Sequence, residues 1–410
     1  MLTTIDEMVT PARVRMVAAI LLAINLTITA GSLVMTHHLI DAFHQPLGGD
    51  FIIFYGASNL TLHGQAAQAF DPQALLVVQR AVLPGVPEGL RWCYPPPYQL
   101  LIAPLALLPF PLAYAVFIGV TLAAFAWMVQ TIYPGRLTLL MIGAFPGTFV
   151  NIWDGQNGFL TAALLGFGLT ALDRRPWLAG AMLGLLVYKP QFGILLPILL
   201  IGTGRWRSTL AAALSGGAFI AASALILGTA PWIAFLHTLP VVSTELAAGQ
   251  LPWSRVPSLF VAARYLGAPA PAAYALQAVV AAIVAVTTLL AWRRPGPLAL
   301  KAGLAVLATF LVTPYSFNYD LVLLAVPIAA IAWYGRDHAL PSGTMAMLLL
   351  AAMTPNLFLN IAKITHLQLM TAVVVAFYGW LFMMLWRPAP ALQPDATAPD
   401  VEAVAAPARS

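Results

Sequence analysis

The sequence predicts an all-α, polytopic membrane protein built as a bundle of about twelve transmembrane helices, on two observations. Apolar residues make up 61% of its 410 residues and charged residues only 8%, whereas soluble domains carry about a quarter charged residues. Long apolar runs, broken by proline, glycine and arginine, recur along the chain, whereas a membrane barrel would show short alternating segments. The single cysteine, Cys93, excludes an internal disulfide and a cysteine-based metal cluster.

The first apolar run, 16–35, is about as long as a bilayer requires and follows Arg13 and Arg15. We expect this run to be a retained anchor, because it lacks a clear small-x-small cleavage site. The two arginines place the N-terminus in the cytoplasm. Later basic residues fall in short links that can all be cytoplasmic, so both termini are placed inside. The spans predicted between these links are 112–131, 137–152, 158–172, 177–188, 192–202, 208–228, 270–292, 298–312, 321–334, 344–360 and 367–386. Residues 1–387 are thus predicted to form one transmembrane domain, and the Pro/Ala/Asp-rich segment 388–410 a disordered cytoplasmic tail.

A long first extracytoplasmic loop, 36–97, is predicted to carry short interfacial helices. Asp50 can N-cap one that ends near Gly64, and Asp71, followed by proline, can cap a second that ends near Arg80. The apolar piece 98–108 is too short to cross the bilayer and is interpreted as re-entrant or interfacial. Residues 229–257 are predicted to form a further outer loop.

This topology places the polar motifs at one, outward-facing end of the bundle. They are Gly48-Gly49-Asp50, Tyr94-Pro95-Pro96-Pro97, Asp154-Gly155-Gln156-Asn157, Tyr188-Lys189-Pro190-Gln191, the loop around Arg255, and the segment 313–320.

Asp50 is the candidate catalytic residue. A carboxylate can remove a proton from a sugar hydroxyl while that oxygen attacks an anomeric carbon that carries a phosphate leaving group. An ordinary helix cap is the alternative interpretation of Asp50. Gln156 and Asn157 could position sugar hydroxyls or cap helix ends, and Trp153 could stack on a sugar or anchor the interface.

Lys189 is the one charge in the otherwise uncharged stretch 177–202, where a charge is costly and Pro190 breaks the helix. It is a candidate for binding a lipid-linked phosphate, and the alternative is a lysine that extends to headgroups. Arg255 and Arg264 could hold the same phosphate or outer-leaflet headgroups.

The segment 313–320 contributes Ser316 and Asn318 as candidate substrate-binding residues, and Asp320 as a second acid or a helix cap. His37, His38 and His44 lie near Asp50, but their spacing supports no metal site. No nucleotide-binding loop, dinucleotide fingerprint or serine-hydrolase elbow occurs.

The order of these motifs resembles glycosyltransferase family 87. The resemblance rests on Asp50, "Tyr55-Gly56-Ala57", "Phe70-Asp71", "Tyr94-Pro95-Pro96", "Pro104-Leu105-Ala106-Leu107-Leu108-Pro109", "Gly155-Gln156-Asn157", "Lys189-Pro190-Gln191" and "Thr313-Pro314-Tyr315-Ser316-Phe317". It implies a GT-C-fold, polyprenyl-phosphate-sugar-dependent enzyme, similar to phosphatidylinositol-mannoside mannosyltransferases of the cell envelope. The family's presumed general base maps onto Asp50. The chain departs where family members often carry tryptophan and histidines, because it has Phe317, Asn318, Tyr319 and Asp320 there.

The resulting prediction is an inverting hexosyl- or pentosyltransferase of the bacterial inner membrane whose active site faces the periplasm or cell exterior. Its expected partners are a polyprenyl-phosphate sugar donor, a lipid or glycan acceptor and membrane lipids, with no cofactor and no nucleic acid. Asp50 would act as the base and Lys189 would hold the donor phosphate with Arg255 or Arg264. Tyr94 lies by the apolar groove 94–108, which would take the polyprenyl chain. A transporter or flippase of lipid-linked saccharides and a non-catalytic assembly subunit are the alternatives.

Overall fold

The computed structural model describes residues 10–35, 39–40, 46–86, 88 and 90–386, and every regular element within these ranges is helical. One isolated antiparallel bridge joins Ile40 to Pro46. The predicted tail 388–410 and the histidines at 37, 38 and 44 lie outside the described residues.

Among the described residues, five helices are long and apolar enough to cross a membrane, and two bent helix pairs raise that number to seven if each pair is one span. All twelve predicted spans are helical in the structure, but twelve crossings are not confirmed. Five of the predicted spans are helices of 10–17 residues, whereas a straight crossing of the hydrocarbon core takes about 20. The long helices are Pro11–Val34, Phe110–Ile132, Trp206–Leu227, Ala270–Arg293 and Leu369–Trp386.

Proline interrupts the shorter helices within the bundle. One bent pair turns by 55° at Pro146, and the other turns by 69° around Pro355. Proline cannot donate the backbone hydrogen bond that would continue a helix, so each break leaves helix ends inside the protein. The broken and short elements are Arg136–Ala144, Pro146–Asp154, Gly158–Thr170, Pro176–Gly184, Leu185–Tyr188, Pro190–Phe192, Leu195–Gly202, Leu298–Val312, Asn318–Leu324, Ala325–Tyr334, Thr344–Met353 and Leu357–Thr365.

The helix Phe51–Leu62 is a core helix, and the prediction that it lies along the interface was wrong. Nine of its twelve residues are buried. Phe51 packs against Phe110 and Phe117 with ring centroids 5.5 and 5.4 Å apart. The polar side chain of Ser58 is buried too, and its hydroxyl donates to the carbonyl of Ile102 at 2.9 Å. Its apolar residues surround the helix, which is typical of a buried helix rather than an amphipathic one.

Further helices lie within the two predicted outer segments. Asp71 caps the helix Pro72–Val82 by accepting from the backbone of Gln73 at 2.9 Å, which confirms the predicted cap. The segment 229–257, predicted as an outer loop, is not an irregular loop, because the helix Ala230–Ala248 occupies most of it and contains Pro240. The remaining elements are Ala66–Phe70, Pro96–Ile102, Ala103–Leu107, Trp253–Arg255 and Leu259–Tyr265.

Basic links that are distant in sequence contact one another in pairs. Three contacts join links that are distant in sequence: Arg205 with Asp173 at 2.6 Å, Arg293 with the carbonyl of Gly202 at 2.8 Å, and Arg336 with the carbonyl of Pro134 at 3.1 Å.

Candidate active site

A tight turn at Gly155 forms the centre of the polar end of the bundle. It joins the helices Pro146–Asp154 and Gly158–Thr170, and Gly155 has a positive φ of 58° that other residues rarely adopt. A Cβ added to Gly155 would lie 2.0 Å from the carbonyl oxygen of Gly48. The missing side chain therefore lets the loop that carries Asp50 lie against this turn, where the backbone N–H of Asp50 donates to the carbonyl of Asp154 at 2.9 Å.

The Asp50 carboxylate points at a glutamine rather than at its own helix. It makes no capping hydrogen bond with the helix Phe51–Leu62, so the prediction of a side-chain cap was wrong. Instead, Gln156 donates from Nε2 to Oδ2 of Asp50 at 2.8 Å. Because this bond engages Oδ2, the half-buried carboxylate retains Oδ1 as a proton acceptor.

Tyr94 holds the other end of the Gln156 amide. Its hydroxyl donates to Oε1 at 3.2 Å, so the amide NH₂ group is turned toward Asp50. Burial raises the pKa of Tyr94 well above its usual value, and the hydroxyl therefore keeps the proton that it donates. Tyr94, Gln156 and Asp50 form one chain of hydrogen bonds across three distant parts of the sequence.

Lys189 is buried in an ion pair. Its ammonium donates to Oδ1 of Asp320 at 2.5 Å and to Oδ1 of Asn157 at 2.8 Å, and the two charged side chains are 2% and 0% exposed. Asp320 also accepts from the backbone of Phe317 at 3.1 Å, as a helix cap does. The alternative of a lysine that extends to headgroups is wrong, because Nζ lies inside the protein. Asp320 is therefore a helix cap, one of the two alternatives, and it also pairs with Lys189.

Arg255 forms the third polar group. Its Nη2 donates to Oδ2 of Asp154 at 2.5 Å, and its Nε donates to Oδ1 of the buried Asn318 at 2.9 Å. The guanidinium lines a cleft of about 160 Å³ together with Phe149, Val150, Trp153, Asp154, Asn318, Asn356, Leu359 and Lys363. The two bent helix pairs supply most of this lining, because Pro146–Asp154 and Leu357–Thr365 each follow a bend.

Three carboxylates therefore meet at this end of the protein in different charge environments. Asp320 pairs with Lys189, and Asp154 pairs with Arg255. Among the described residues, Asp50 forms no ion pair, and a neutral amide is its side-chain partner. Asp50 is therefore the acid of the three whose carboxylate no cation in the described ranges engages.

Two predicted substrate-binding residues have structural partners instead. Arg264 donates to the carbonyls of Ala247 at 3.2 Å and Ala268 at 2.7 Å, and its guanidinium lies 5.3 Å from the ring centre of Trp253. Ser316 is fully buried and donates to the carbonyl of Pro257 at 3.2 Å. These bonds tie the chain around 247–268 together.

Lys363 was not found from the sequence. It is exposed and lines the cleft with Arg255, although the predicted topology gave residues 361–366 no role. The position of a lone lysine near the end of an apolar run was the available signal. Within the described part of the chain, no group of three or more His, Cys, Asp or Glu side chains could hold a metal ion.

The site combines three carboxylates, one of them without a cation partner in the described part of the chain, with a cleft lined by Arg255 and Lys363. Such groups are typical of an enzyme that transfers a group between substrates. The model of glycosyltransferase family 87 matches residues 92–314, which is more than half of the chain, and the protein belongs to this family. It is therefore a glycosyltransferase. The match includes Tyr94, the turn 154–157, Lys189 and Arg255, whereas Asp50 lies before it. No curated protein and no solved structure matches the chain.

Proposed function

We propose that the protein transfers a sugar, with inversion, from a polyprenyl-phosphate donor to the hydroxyl of a lipid or glycan acceptor at the extracytoplasmic face of the bacterial plasma membrane. Family membership supports the transfer of a sugar. The observation that carries the mechanism is the contrast between Asp50, which has an amide partner, and the ion-paired Asp154 and Asp320.

Asp50 acts as the general base in this proposal. The acceptor oxygen attacks the anomeric carbon, and its proton passes to Oδ1 of Asp50 as the new glycosidic bond forms. The bond from the anomeric carbon to the phosphate oxygen breaks on the opposite side, which inverts the configuration and releases polyprenyl phosphate. Gln156 keeps the carboxylate oriented through Oδ2, and Tyr94 keeps Gln156 oriented.

Arg255 and Lys363 bind the donor phosphate. Two cations face the cleft against one acid, Asp154, so the cleft has an excess positive charge that matches a phosphate and the charge it gains on leaving. Nη1 of Arg255 has no partner among the described residues. Lys189 does not bind the donor phosphate in this proposal, although the sequence predicted that role, because Asp320 already neutralises its charge.

Asn157 links the buried pair to the reaction centre. It accepts from Lys189 through Oδ1 and is the neighbour of Gln156, so the Lys189–Asp320 pair fixes the turn that positions Asp50. Trp153 lines the cleft next to Asp154 and offers a ring face on which a sugar can stack. The neutral cluster of Gln156, Asn157 and Tyr94 supplies hydroxyl-binding groups on the side of Asp50.

The test is transfer of label from polyprenyl-phosphate sugars to a membrane glycolipid extract by purified protein in proteoliposomes. Asp50→Asn is expected to lower turnover by about 10²–10⁴-fold, the usual contribution of a general base. Asp71→Asn, which alters another acid of the same outer segment that acts as a helix cap, is expected to retain turnover within about threefold. Near-normal turnover in Asp50→Asn would refute the role of Asp50.

The same assay addresses the phosphate site and the flippase alternative. Lys363→Gln is expected to raise the apparent KM for the donor about tenfold with a smaller effect on kcat, since one charge-assisted contact contributes about 1.5 kcal/mol or more. An unchanged KM would remove Lys363 from the site. Movement of the labelled lipid across the bilayer with no new glycoside in any reaction would contradict the transferase and favour a flippase.

A further inference from the structure

A second cavity lies at the basic end of the bundle. It has a volume of about 320 Å³, twice that of the cleft beside Arg255. Two short links surround it, one after the helix Gly158–Thr170 and one before the helix Trp206–Leu227. Its lining consists of Leu172, Pro176, Gly204, Arg205, Trp206, Arg207 and Ser208.

Helix lengths place this cavity far from the candidate active site. The segments Pro176–Tyr188 and Pro190–Gly202 both run between the cavity and Lys189, one toward the site and one away from it. Each has 13 residues, so a helical rise of 1.5 Å per residue separates the cavity from Lys189 by about 20 Å. The cavity therefore belongs to the opposite end of the protein and is not part of the cleft that holds Arg255 and Lys363.

The charge around the cavity is strongly positive. The two links and the first turn of the helix Trp206–Leu227 carry four arginines, at 174, 175, 205 and 207, against one acid, Asp173. Arg205 bonds to Asp173 at 2.6 Å and lies 5.8 Å from the ring centre of Trp292. Arg207 is exposed and has no polar partner among the described residues. An anion in the cavity would therefore meet a guanidinium that is not already neutralised.

Apolar surface continues directly from the cavity along the bundle. Trp206 is 63% exposed, and Leu210 and Leu214, one and two turns further along the same helix, are 51% and 60% exposed. Trp177, next to the lining residue Pro176, is 51% exposed. Indole side chains favour the boundary between headgroups and hydrocarbon. The cavity thus combines cations, two exposed tryptophans and an exposed apolar face in the order in which a lipid presents phosphate, glycerol and acyl chains.

We propose that this cavity binds the headgroup phosphate of an anionic phospholipid, with Arg205 and Arg207 on the phosphate and the helix Trp206–Leu227 along an acyl chain. The site is separate from the glycosyl-transfer site and does not depend on the proposed function. Because basic pockets between transmembrane helices recognise anionic headgroups, the lipid explains the charge and the adjoining apolar face together. A soluble phosphate compound would use only the charge.

Native mass spectrometry of the detergent-purified protein with phosphatidylglycerol or phosphatidylcholine tests this proposal. Arg207→Gln is expected to lower the retained phosphatidylglycerol about fivefold, as the loss of one basic residue near anionic lipid implies. Arg207→Lys is expected to keep most of it, and Arg136→Gln to match the wild-type protein. Arg136 is the matched control because it is an exposed arginine of another basic link that does not line the cavity.

Three results would overturn the proposal. Equal losses in Arg207→Gln and Arg136→Gln would mean general attraction of lipid to a basic surface. Equal retention of phosphatidylcholine and phosphatidylglycerol would exclude recognition of the anionic headgroup. Displacement of phosphatidylglycerol by 10 mM inorganic phosphate, but not by chloride of equal ionic strength, would assign the cavity to a soluble phosphate compound instead.

Discussion

The buried pair of Lys189 and Asp320 allows the sharpest test of how this protein holds its site. The two side chains are 2% and 0% exposed, and Nζ lies 2.5 Å from Oδ1. Replacing Asp320 with asparagine leaves the ammonium with Asn157 as its remaining side-chain acceptor. Replacing Lys189 with methionine leaves the carboxylate with the backbone of Phe317. Removing one member of a buried pair costs about 3–5 kcal/mol, because the other charge stays buried without compensation.

We therefore expect Lys189→Met and Asp320→Asn each to lower the free energy of unfolding by about 3–5 kcal/mol. The double variant should lose about 2 kcal/mol less than the sum of the single losses, since it leaves no isolated charge. Unfolding in a detergent-to-SDS titration, followed by the fluorescence of the 11 tryptophans, measures all three differences.

The exposed pair of Arg205 and Asp173 is the matched control. Its N–O distance is similar, at 2.6 Å, but its side chains are 22% and 58% exposed, and exposed pairs contribute about 0.2–1 kcal/mol. Asp173→Asn should therefore lower the free energy of unfolding by less than about 1 kcal/mol. If Lys189→Met cost no more than Asp173→Asn, or if the two single effects simply added, burial would not have made the Lys189 pair interdependent, and the argument would fail.

Three further outcomes are expected from the same structure. Gly155→Ala should lower the free energy of unfolding by at least about 2 kcal/mol, because the φ of residue 155 is positive and the Cβ of alanine would meet the carbonyl of Gly48. Unaltered unfolding in SDS would contradict the close contact. Tyr94→Phe should lower kcat about tenfold with little change in the KM for the donor, because Gln156 loses the hydrogen bond that turns its NH₂ group toward Asp50. A change confined to KM in steady-state kinetics would instead make Tyr94 a binding residue. Asp71→Ala should cost about 1 kcal/mol in the unfolding titration, the usual value of an N-cap, and a loss below about 0.3 kcal/mol would count against the cap.

Local chemistry explains which sequence predictions were correct. The twelve predicted apolar segments are all helical, and the predicted break at Pro190 occurs because proline removes a backbone donor. The bends at Pro146 and around Pro355 were not predicted, because they lie inside 137–152 and 344–360, which were predicted as single spans. Asp71 caps its helix because the donor it needs is two residues away.

The polar end of the bundle was predictable as a group but not as a set of partners. The predicted topology placed Asp50, Gln156, Lys189 and Arg255 at one face of the bundle. The structure confirms that their segments meet, because Asp50, Lys189 and Arg255 each contact a residue of the turn 154–157. The spacing of residues in helices does not say which acid neutralises which cation. The sequence analysis therefore assigned the donor phosphate to Lys189, whose charge the structure pairs with Asp320.

The sequence by itself determined that the chain is helical and that its polar motifs gather together, because these follow from composition and from neighbours a few residues apart. Only the tertiary structure decided that Asp50 faces Gln156, 106 residues away, while the other two acids of the cluster face cations 101 and 131 residues distant. Such pairings depend on how broken helices close over one another. Packing around Gly155 and burial from water select them, and neither is encoded in any local pattern of residues.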